Sequence, residues 1–109
     1  MITVKIFREG QTIHGFSVSG HSDYRPRGSD IVCSAVSALS QTAILALIEV
    51  AGVTPIWTRR DGQLECKIPP RVEDQPFKEC QLVLSTIITG FAYIARDYPE
   101  NVRVSDEEV

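Results

Sequence analysis

Apolar and polar side chains alternate along the first part of the chain, as they do in β-strands with one buried face. Residues 2–7 alternate in this way, residues 9–11 have turn composition around Gly10, and residues 12–19 read as a second strand. Two strands joined by so short a connection are predicted to pair as an antiparallel hairpin. The polar stretch that follows, residues 20–29, contains two glycines and a proline and is predicted to be a loop.

A long apolar-rich run begins after Asp30 and is predicted to be a helix. Ser29 and Asp30 offer N-capping side chains, and Gly52 stands just past the last residue of the run, Ala51. Residues of these types usually mark the beginning and the end of a helix. Because the run carries almost no charge, we expect the helix to be buried on much of its surface, against a sheet and a second subunit.

A second hairpin is predicted from residues 53–58 and 64–68, which flank Asp61 and Gly62. The dipeptide Asp-Gly between two extended runs is a strong hairpin signal, because its backbone conformation suits a tight turn.

The last third of the chain is predicted to hold a second helix, residues 75–95, and a short final strand, residues 101–105. The acidic residues 106–108 are expected to be a frayed tail. The helix has an apolar stripe at three- and four-residue spacing, formed by Phe77, Cys80, Leu84, Ile87, Ile88, Phe91 and Ile94.

The element order ββαββα(β) predicts an α+β fold, with an antiparallel sheet of about four to five strands, two hairpins and two packed α-helices. All 109 residues are assigned to one domain, because a chain of this length has room for a single core.

Composition then narrows the class of function. A formal net charge of −3 is not the footprint of a protein that binds nucleic acid directly. The three cysteines include no CxxC pair, which argues against zinc-finger and thioredoxin-type sites. The N-terminus lacks the pattern of a secretory signal, and the longest apolar stretch, residues 43–51, is too short to span a bilayer. We therefore expect a cytoplasmic protein with free thiols and no membrane contact.

The strongest candidate for chemistry is Cys33. With Asp30 as the N-cap, Cys33 occupies the third position of the helix, where backbone N–H groups lack helical partners and the helix dipole is positive. Both effects favour a thiolate, which is the nucleophile that acyl transfer needs. The backbone N–H groups of Cys33 and Ser34 are candidates for stabilising the oxyanion of a tetrahedral intermediate.

His21 lies in the loop, twelve residues before Cys33, and is the candidate general acid and base, because an imidazole exchanges protons near neutral pH. Asp30 has two possible roles, as a helix cap or as a group that orients His21. Ser37 follows Cys33 by four residues and shares its helix face, so it either bonds within the site or permits close packing.

Three alternatives remain beside this interpretation. A cysteine at a helix start is often a small buried hydrophobic residue, and Cys66 and Cys80 are expected to be core residues of that kind. A metal site built from His21, Cys33 and Cys66 is weakly supported, because its ligands lack local spacing. A non-catalytic assembly factor is the alternative function, since no third member of a catalytic triad is evident; the resemblance described below implies that such a factor would be ribosome-associated.

The pattern Gly20-His21, then Gly28 and Asp30-Ile31-Val32-Cys33, then Ser37, resembles the ribosomal-processing cysteine protease family, Prp. The resemblance covers the whole chain in length and element order. It implies that His21 and Cys33 are the catalytic pair and that Gly20, Asp30 and Ser37 support them.

The resemblance also implies a function. Members of the family remove a short N-terminal extension from a large-subunit ribosomal protein, which supports ribosome assembly in bacteria. The implied partners are that precursor and a second copy of the chain in a homodimer, with no cofactor and no metal. Ser22 and Ser34 stand where the family more often has alanine. In the loop, which we expect to move over the substrate, Tyr24 and Gly28 are the candidate substrate contacts.

Overall fold

A computed structural model describes residues 1–26 and 30–109 of the chain. Gly28, one of the candidate substrate contacts, lies outside the described residues. The helices and strands, in chain order, are β1 (Ile2–Glu9), β2 (Thr12–Gly20), α1 (Ile31–Glu49), β3 (Ile56–Arg60), β4 (Gln63–Lys67), α2 (Asp74–Asp97) and β5 (Val102–Glu108). The predicted α+β fold and its element order are confirmed.

The five strands form one sheet in the order β3-β4-β2-β1-β5. In one row across the sheet, Ile6 pairs with Phe16 and Phe16 with Cys66, and all three side chains are buried. In the adjacent row, Lys5 pairs with Ser17, and neither side chain is buried. Burial that alternates in this way means that the helices cover one face of the sheet and leave the other to solvent.

The sheet is mixed, and the prediction of a wholly antiparallel sheet was wrong at β5. β5 pairs with β1 in parallel, with Ile2 opposite Val102 and Arg8 opposite Glu108. The cause is α2, which carries the chain back along the sheet, so that β5 runs in the same direction as β4. Because β1 also runs in that direction, β5 adds beside it in parallel.

The acidic residues 106–108 belong to β5 and are not the frayed tail expected from their charge. Arg8 Nε donates to Asp106 Oδ1 at 2.9 Å, and Lys5 Nζ lies 3.8 Å from Glu107 Oε1. Glu108 Oε1 accepts from the backbone N–H of Gly10 at 3.0 Å. Basic side chains on β1 therefore offset the carboxylates, and the backbone pairing extends to the end of the strand.

The second hairpin closes through Asp61 and Gly62, as the Asp-Gly signal predicted, with Arg60 paired to Gln63. Gly62 has φ +71°, a conformation that glycine adopts without strain. The first strand of the hairpin begins at Ile56, three residues later than predicted.

Helix α2 buries the predicted stripe through Cys80, Leu84, Ile87 and Phe91. Phe91 packs against Phe16 of β2 with ring centroids 5.5 Å apart. This contact ties the helix to the middle of the sheet, and both rings are fully buried.

Helix α1 buries one side only. Leu45 is 56% exposed and Val50, just past its last residue, is 71% exposed. With a mean hydropathy of 2.0 over an 18-residue window, the 19-residue α1 is long and apolar enough to cross a membrane by length and composition alone. The core helix of a soluble protein passes the same test, and α1 contributes Val32, Val36, Ala43 and Leu47 to the common core.

Deletion of residues 106–109 should lower the melting temperature by several degrees, because it removes three residue pairs between β5 and β1. Glu107→Gln is the matched control. It keeps the backbone pairing and loses only a half-exposed ion pair, a class of interaction worth at most about 1 kcal/mol. Thermal unfolding followed by circular dichroism checks both. A deletion variant that melts with the full chain would contradict the assignment of these residues to the sheet.

Candidate active site

The amino end of α1 carries Cys33 at its third position, as the sequence predicted. Asp30 is the N-cap, and its Oδ1 accepts from the backbone N–H of Cys33 at 2.9 Å. The sulfur is partly exposed. The capping bond fixes the first turn of the helix, and with it the direction of the thiol.

The other carboxylate oxygen of Asp30 binds the loop. Its Oδ2 accepts from the hydroxyl of Ser22 and from the backbone N–H groups of Tyr24 and Arg25, at 3.2 and 3.3 Å. None of the bonds that the described residues make to Asp30 comes from His21. Of the two roles open to Asp30, the structure therefore shows the helix cap, to which it adds an anchor for the loop.

These contacts keep Asp30 ionised although the side chain is buried. Burial raises the pKa of the carboxyl, but the hydrogen bond from Ser22 and those from the backbone of Cys33, Arg25 and Tyr24 outweigh it. The resulting pKa is about 2, against an ordinary 3.8.

The described part of the loop is held by further contacts. Asn101 Nδ2 donates to the carbonyl oxygen of Ser22 at 2.9 Å, and Tyr24 packs edge-on against Tyr98 with ring centroids 5.3 Å apart. Ser22 is 1% exposed, although it lies in a stretch predicted to be a loop from its polar composition. Tyr24, a candidate substrate contact, lies against Tyr98. It does not line the cleft that contains His21 and Cys33.

His21 and Cys33 line the same cleft, which has a volume of about 440 Å³. Its walls come from the end of β2, the first turns of α1 and the hairpin of β3 and β4. Ser37, predicted to share the helix face of Cys33, also lines it. The cleft therefore brings together the two candidate catalytic side chains and two of the supporting residues, Gly20 and Ser37.

Two glycines fit His21 into this wall. Gly20 has φ +91°, and a Cβ there would collide with the carbonyl oxygen of Met1. A Cβ on Gly62 would come within 3.1 Å of His21 Nε2. The backbone N–H of Gly20 also donates to the carbonyl oxygen of Gly62 at 2.9 Å. A side chain at either position would move the imidazole, which gives Gly20 a physical role in the site.

Sequence reasoning missed the contribution of the second hairpin. Arg59, Arg60, Gly62 and Gln63 all line the cleft. Nothing in their local pattern indicates a site, because they approach His21 only through the strand order that sets β4 beside β2. The Asp-Gly signal predicted the turn, but it did not predict that the turn would lie beside His21.

The two candidate oxyanion donors already have partners. The N–H of Cys33 donates to Asp30 Oδ1, and the N–H of Ser34 donates to the backbone oxygen of Asp30 at 3.1 Å. Their role toward an oxyanion stays a prediction, and it requires a substrate oxygen to share or displace these bonds.

Cys66 and Cys80 are fully buried, as expected for core residues. Burial, reinforced by the neighbouring Cys80, raises the pKa of the Cys66 thiol to about 12. Burial and the nearby Glu79 raise the pKa of Cys80 as well. Within residues 1–26 and 30–109 there is no group of three His, Cys, Asp or Glu side chains that could hold a metal ion.

A partly exposed thiol at the amino end of a helix, sharing a cleft with an imidazole, defines a cysteine hydrolase. The model of the cysteine protease Prp family matches residues 1–103, and the chain belongs to that family. It is a cysteine protease.

Its relatives are similar over nearly their full lengths. The ribosomal processing cysteine protease Prp of Bacillus subtilis is 30% identical over 95 residues, which are 85% of each chain. That of Staphylococcus aureus strain Mu50 is 30% identical over 106 residues, covering 96% of this chain and 98% of the relative. The crystal structure of S. aureus Prp with a covalently linked product peptide superimposes with a TM-score of 0.87 at 28% identity, covering 98% of this chain and 100% of the other.

Replacement of Asp30 by Asn should destabilise the fold in a pH-dependent way. The pKa of Asp30 is about 2 in the folded protein and has an ordinary value of 3.8. Its ionised form therefore stabilises the fold above about pH 4, and this contribution is lost as the pH falls from about 4 to about 2. The difference in melting temperature between the two proteins should be largest above pH 4 and should narrow toward pH 2.

Asp97→Asn is the control, since Asp97 is half-exposed and pairs only with its neighbour Arg96 among the described residues. This variant should follow the native protein across the same pH range. A gap between native and Asp30→Asn proteins that stays constant from pH 6 to pH 2 would rule out the ionised cap as its cause.

Proposed function

We propose that this protease removes a short N-terminal extension from a large-subunit ribosomal protein, with Cys33 as nucleophile and His21 as general acid and base. The observation that carries the proposal is the cleft shared by these two side chains in a member of the Prp family. The names of the relatives, which describe ribosomal processing, support the substrate class.

The chemistry follows from the two groups. Cys33 Sγ attacks the scissile carbonyl carbon, and its proton passes to the ring of His21. His21 then protonates the leaving amine, the C–N bond breaks, and a thioester remains on Cys33. A water molecule attacks the thioester with His21 as base, which releases the new carboxylate and restores the thiol.

The surface around Cys33 suits a chain that continues on both sides of the cut. Cys33 and Ser37 line both the cleft and a second depression, to which Ser34, Ala38 and Gln41 also contribute. An endopeptidase must hold residues before and after the scissile bond, and two depressions that meet at the nucleophile meet this need.

The apolar part of the cleft favours apolar residues at the cut. Ile2, Val18, Val36 and Leu64 contribute to its lining. We propose that these side chains bind an aromatic or other apolar residue of the extension, just before the cleaved bond, because burial of such a side chain contributes about 1.5–3 kcal/mol. A cytoplasmic location fits both a ribosomal precursor and three free thiols.

Cys33→Ala should abolish cleavage of the extended precursor, and His21→Ala should slow it by roughly a hundredfold, the usual scale for loss of a general acid–base group. The assay is incubation with the extended large-subunit ribosomal protein encoded by the same genome, read by mass spectrometry. His14→Ala is the matched control. His14 bonds Glu9 and does not line the cleft, so its replacement should leave the rate unchanged.

Cleavage by pure Cys33→Ala would exclude Cys33 as the nucleophile. A precursor that the native enzyme binds but leaves intact would favour the alternative, a non-catalytic assembly factor.

We also propose a homodimer formed through the exposed apolar side of α1. Leu45 and Ile48 lie on this side, and apolar side chains grouped in this way usually mark an interface. Sedimentation equilibrium at micromolar concentration should report twice the 12.1 kDa mass of the chain. Leu45→Glu, which places a charge on the contact, should shift the population to monomer. A native protein that remains monomeric over this range would contradict the proposal.

A further inference from the structure

The hydroxyl of Ser22 lies between the carboxylate of Asp30 and the thiol of Cys33. Ser22 is 1% exposed, so water does not compete for these contacts. Its Oγ bonds Asp30 Oδ2, accepts from the backbone N–H of Tyr24 at 3.3 Å, and lies 3.4 Å from Cys33 Sγ. A hydroxyl offers one donor and two acceptor positions, and three partners use all of them.

The direction of each bond is fixed by its partner. Asp30 is ionised at neutral pH and can only accept, so the single hydroxyl proton of Ser22 goes to the carboxylate. The N–H of Tyr24 can only donate to the hydroxyl oxygen. The contact with Cys33 is therefore a hydrogen bond only when the sulfur carries its proton and donates to Ser22 Oγ.

We propose that Ser22 is a positioning residue that holds Cys33 as a neutral thiol in the free enzyme. A thiolate of Cys33 would face a lone pair of Ser22 Oγ, and the negative charge of Asp30 lies on the far side of that oxygen. It would also lose the hydrogen bond that the thiol donates to Ser22 Oγ. The inference rests on the proposed function, in which Cys33 is the nucleophile, and it adds a restraint on when that nucleophile becomes active.

Other groups near Cys33 act on the same equilibrium. The backbone N–H of Ser22 donates to the sulfur at 3.5 Å and favours the thiolate, as does the end of the helix. The titratable and charged groups that face the sulfur from the cap and across the cleft are Asp30, His21, Arg59, Arg60 and Asp61. All of these remain when the Ser22 hydroxyl is removed, so Ser22→Ala isolates the contribution of the hydroxyl.

The restraint is released by proton transfer. When His21 accepts the proton, the S–H bond breaks, the electron pair stays on sulfur, and the hydrogen bond to Ser22 is lost. A bound peptide favours this proton transfer, because the thiolate is consumed when it attacks the scissile carbonyl carbon. The free enzyme therefore keeps its cysteine in the less reactive form.

The test is the rate of iodoacetamide alkylation against pH, in which the C–S bond forms and iodide leaves. Cys66 and Cys80 are buried, so the native protein reports on Cys33. In Ser22→Ala the midpoint of the rate curve should move to lower pH by about half to one unit, the scale of one net hydrogen bond. Thr42→Ala is the matched control, because that hydroxyl of α1 donates to the backbone oxygen of Ala38 and lines neither depression, so its curve should coincide with that of the native protein.

A purely structural role for Ser22 would lower the melting temperature of Ser22→Ala and leave the midpoint in place, which would overturn the inference. A midpoint that moves to higher pH would overturn it as well, since the hydroxyl would then be a donor to the thiolate. Ser22→Thr keeps the hydroxyl and should restore the native midpoint.

A second measurement needs no change at Ser22. The infrared difference between native and Cys33→Ala proteins at pH 7, in the S–H stretching region, should show the band of a hydrogen-bonded thiol. Absence of an S–H band would mean a thiolate at rest and would overturn the inference. The two proposals can fail separately. Proteolysis by Cys33→Ala would exclude Cys33 as the nucleophile. The alkylation curves of the native and Ser22→Ala proteins would still decide whether Ser22 holds the thiol.

Discussion

One buried carboxylate joins the two parts of the active site. Asp30 caps α1 through one oxygen and holds residues 22–25 through the other, so the helix that carries Cys33 and the loop that follows His21 meet at a single side chain. A neutral residue would cap the helix or bind the loop less well, because charged acceptors make the stronger hydrogen bonds. The geometry of the site thus depends on a group that need not touch the substrate.

In the proposed mechanism, this arrangement lets the nucleophilic cysteine lie beside a negative charge. The carboxylate supports the fold of the helix end, and Ser22 lies between it and the thiol. Under the proposed role of Ser22, the same carboxylate disfavours the thiolate, so stability and reactivity make opposite demands at this end of the helix. In the proposed mechanism, His21 in the same cleft accepts the proton of the thiol, and this transfer reconciles the two demands.

Local sequence signals predicted the local parts of this structure. The alternation in residues 2–7, the Asp30 cap and the Asp61–Gly62 turn each act over a few residues, and each was found where expected. The parallel strand β5 and the place of Arg59 and Arg60 in the cleft depend on which strands become neighbours. Tertiary packing decides that order, and no short pattern encodes it. The prediction of a frayed tail from the charge of residues 106–108 failed for the same reason. The basic residues that pair with this segment, Lys5 and Arg8, lie far away in the chain.

The pairing of the first strand with the last also constrains how the molecule forms. Arg8 and Asp106 bond across 98 positions of sequence, whereas the other neighbour of β1 follows it directly. During synthesis the first hairpin is complete early, but one edge of β1 stays open until the final strand has been made. Contacts this distant in sequence slow folding, because the chain must close a long loop before the contact stabilises it. The sheet that supports the candidate active site is therefore finished only after β5 has been made.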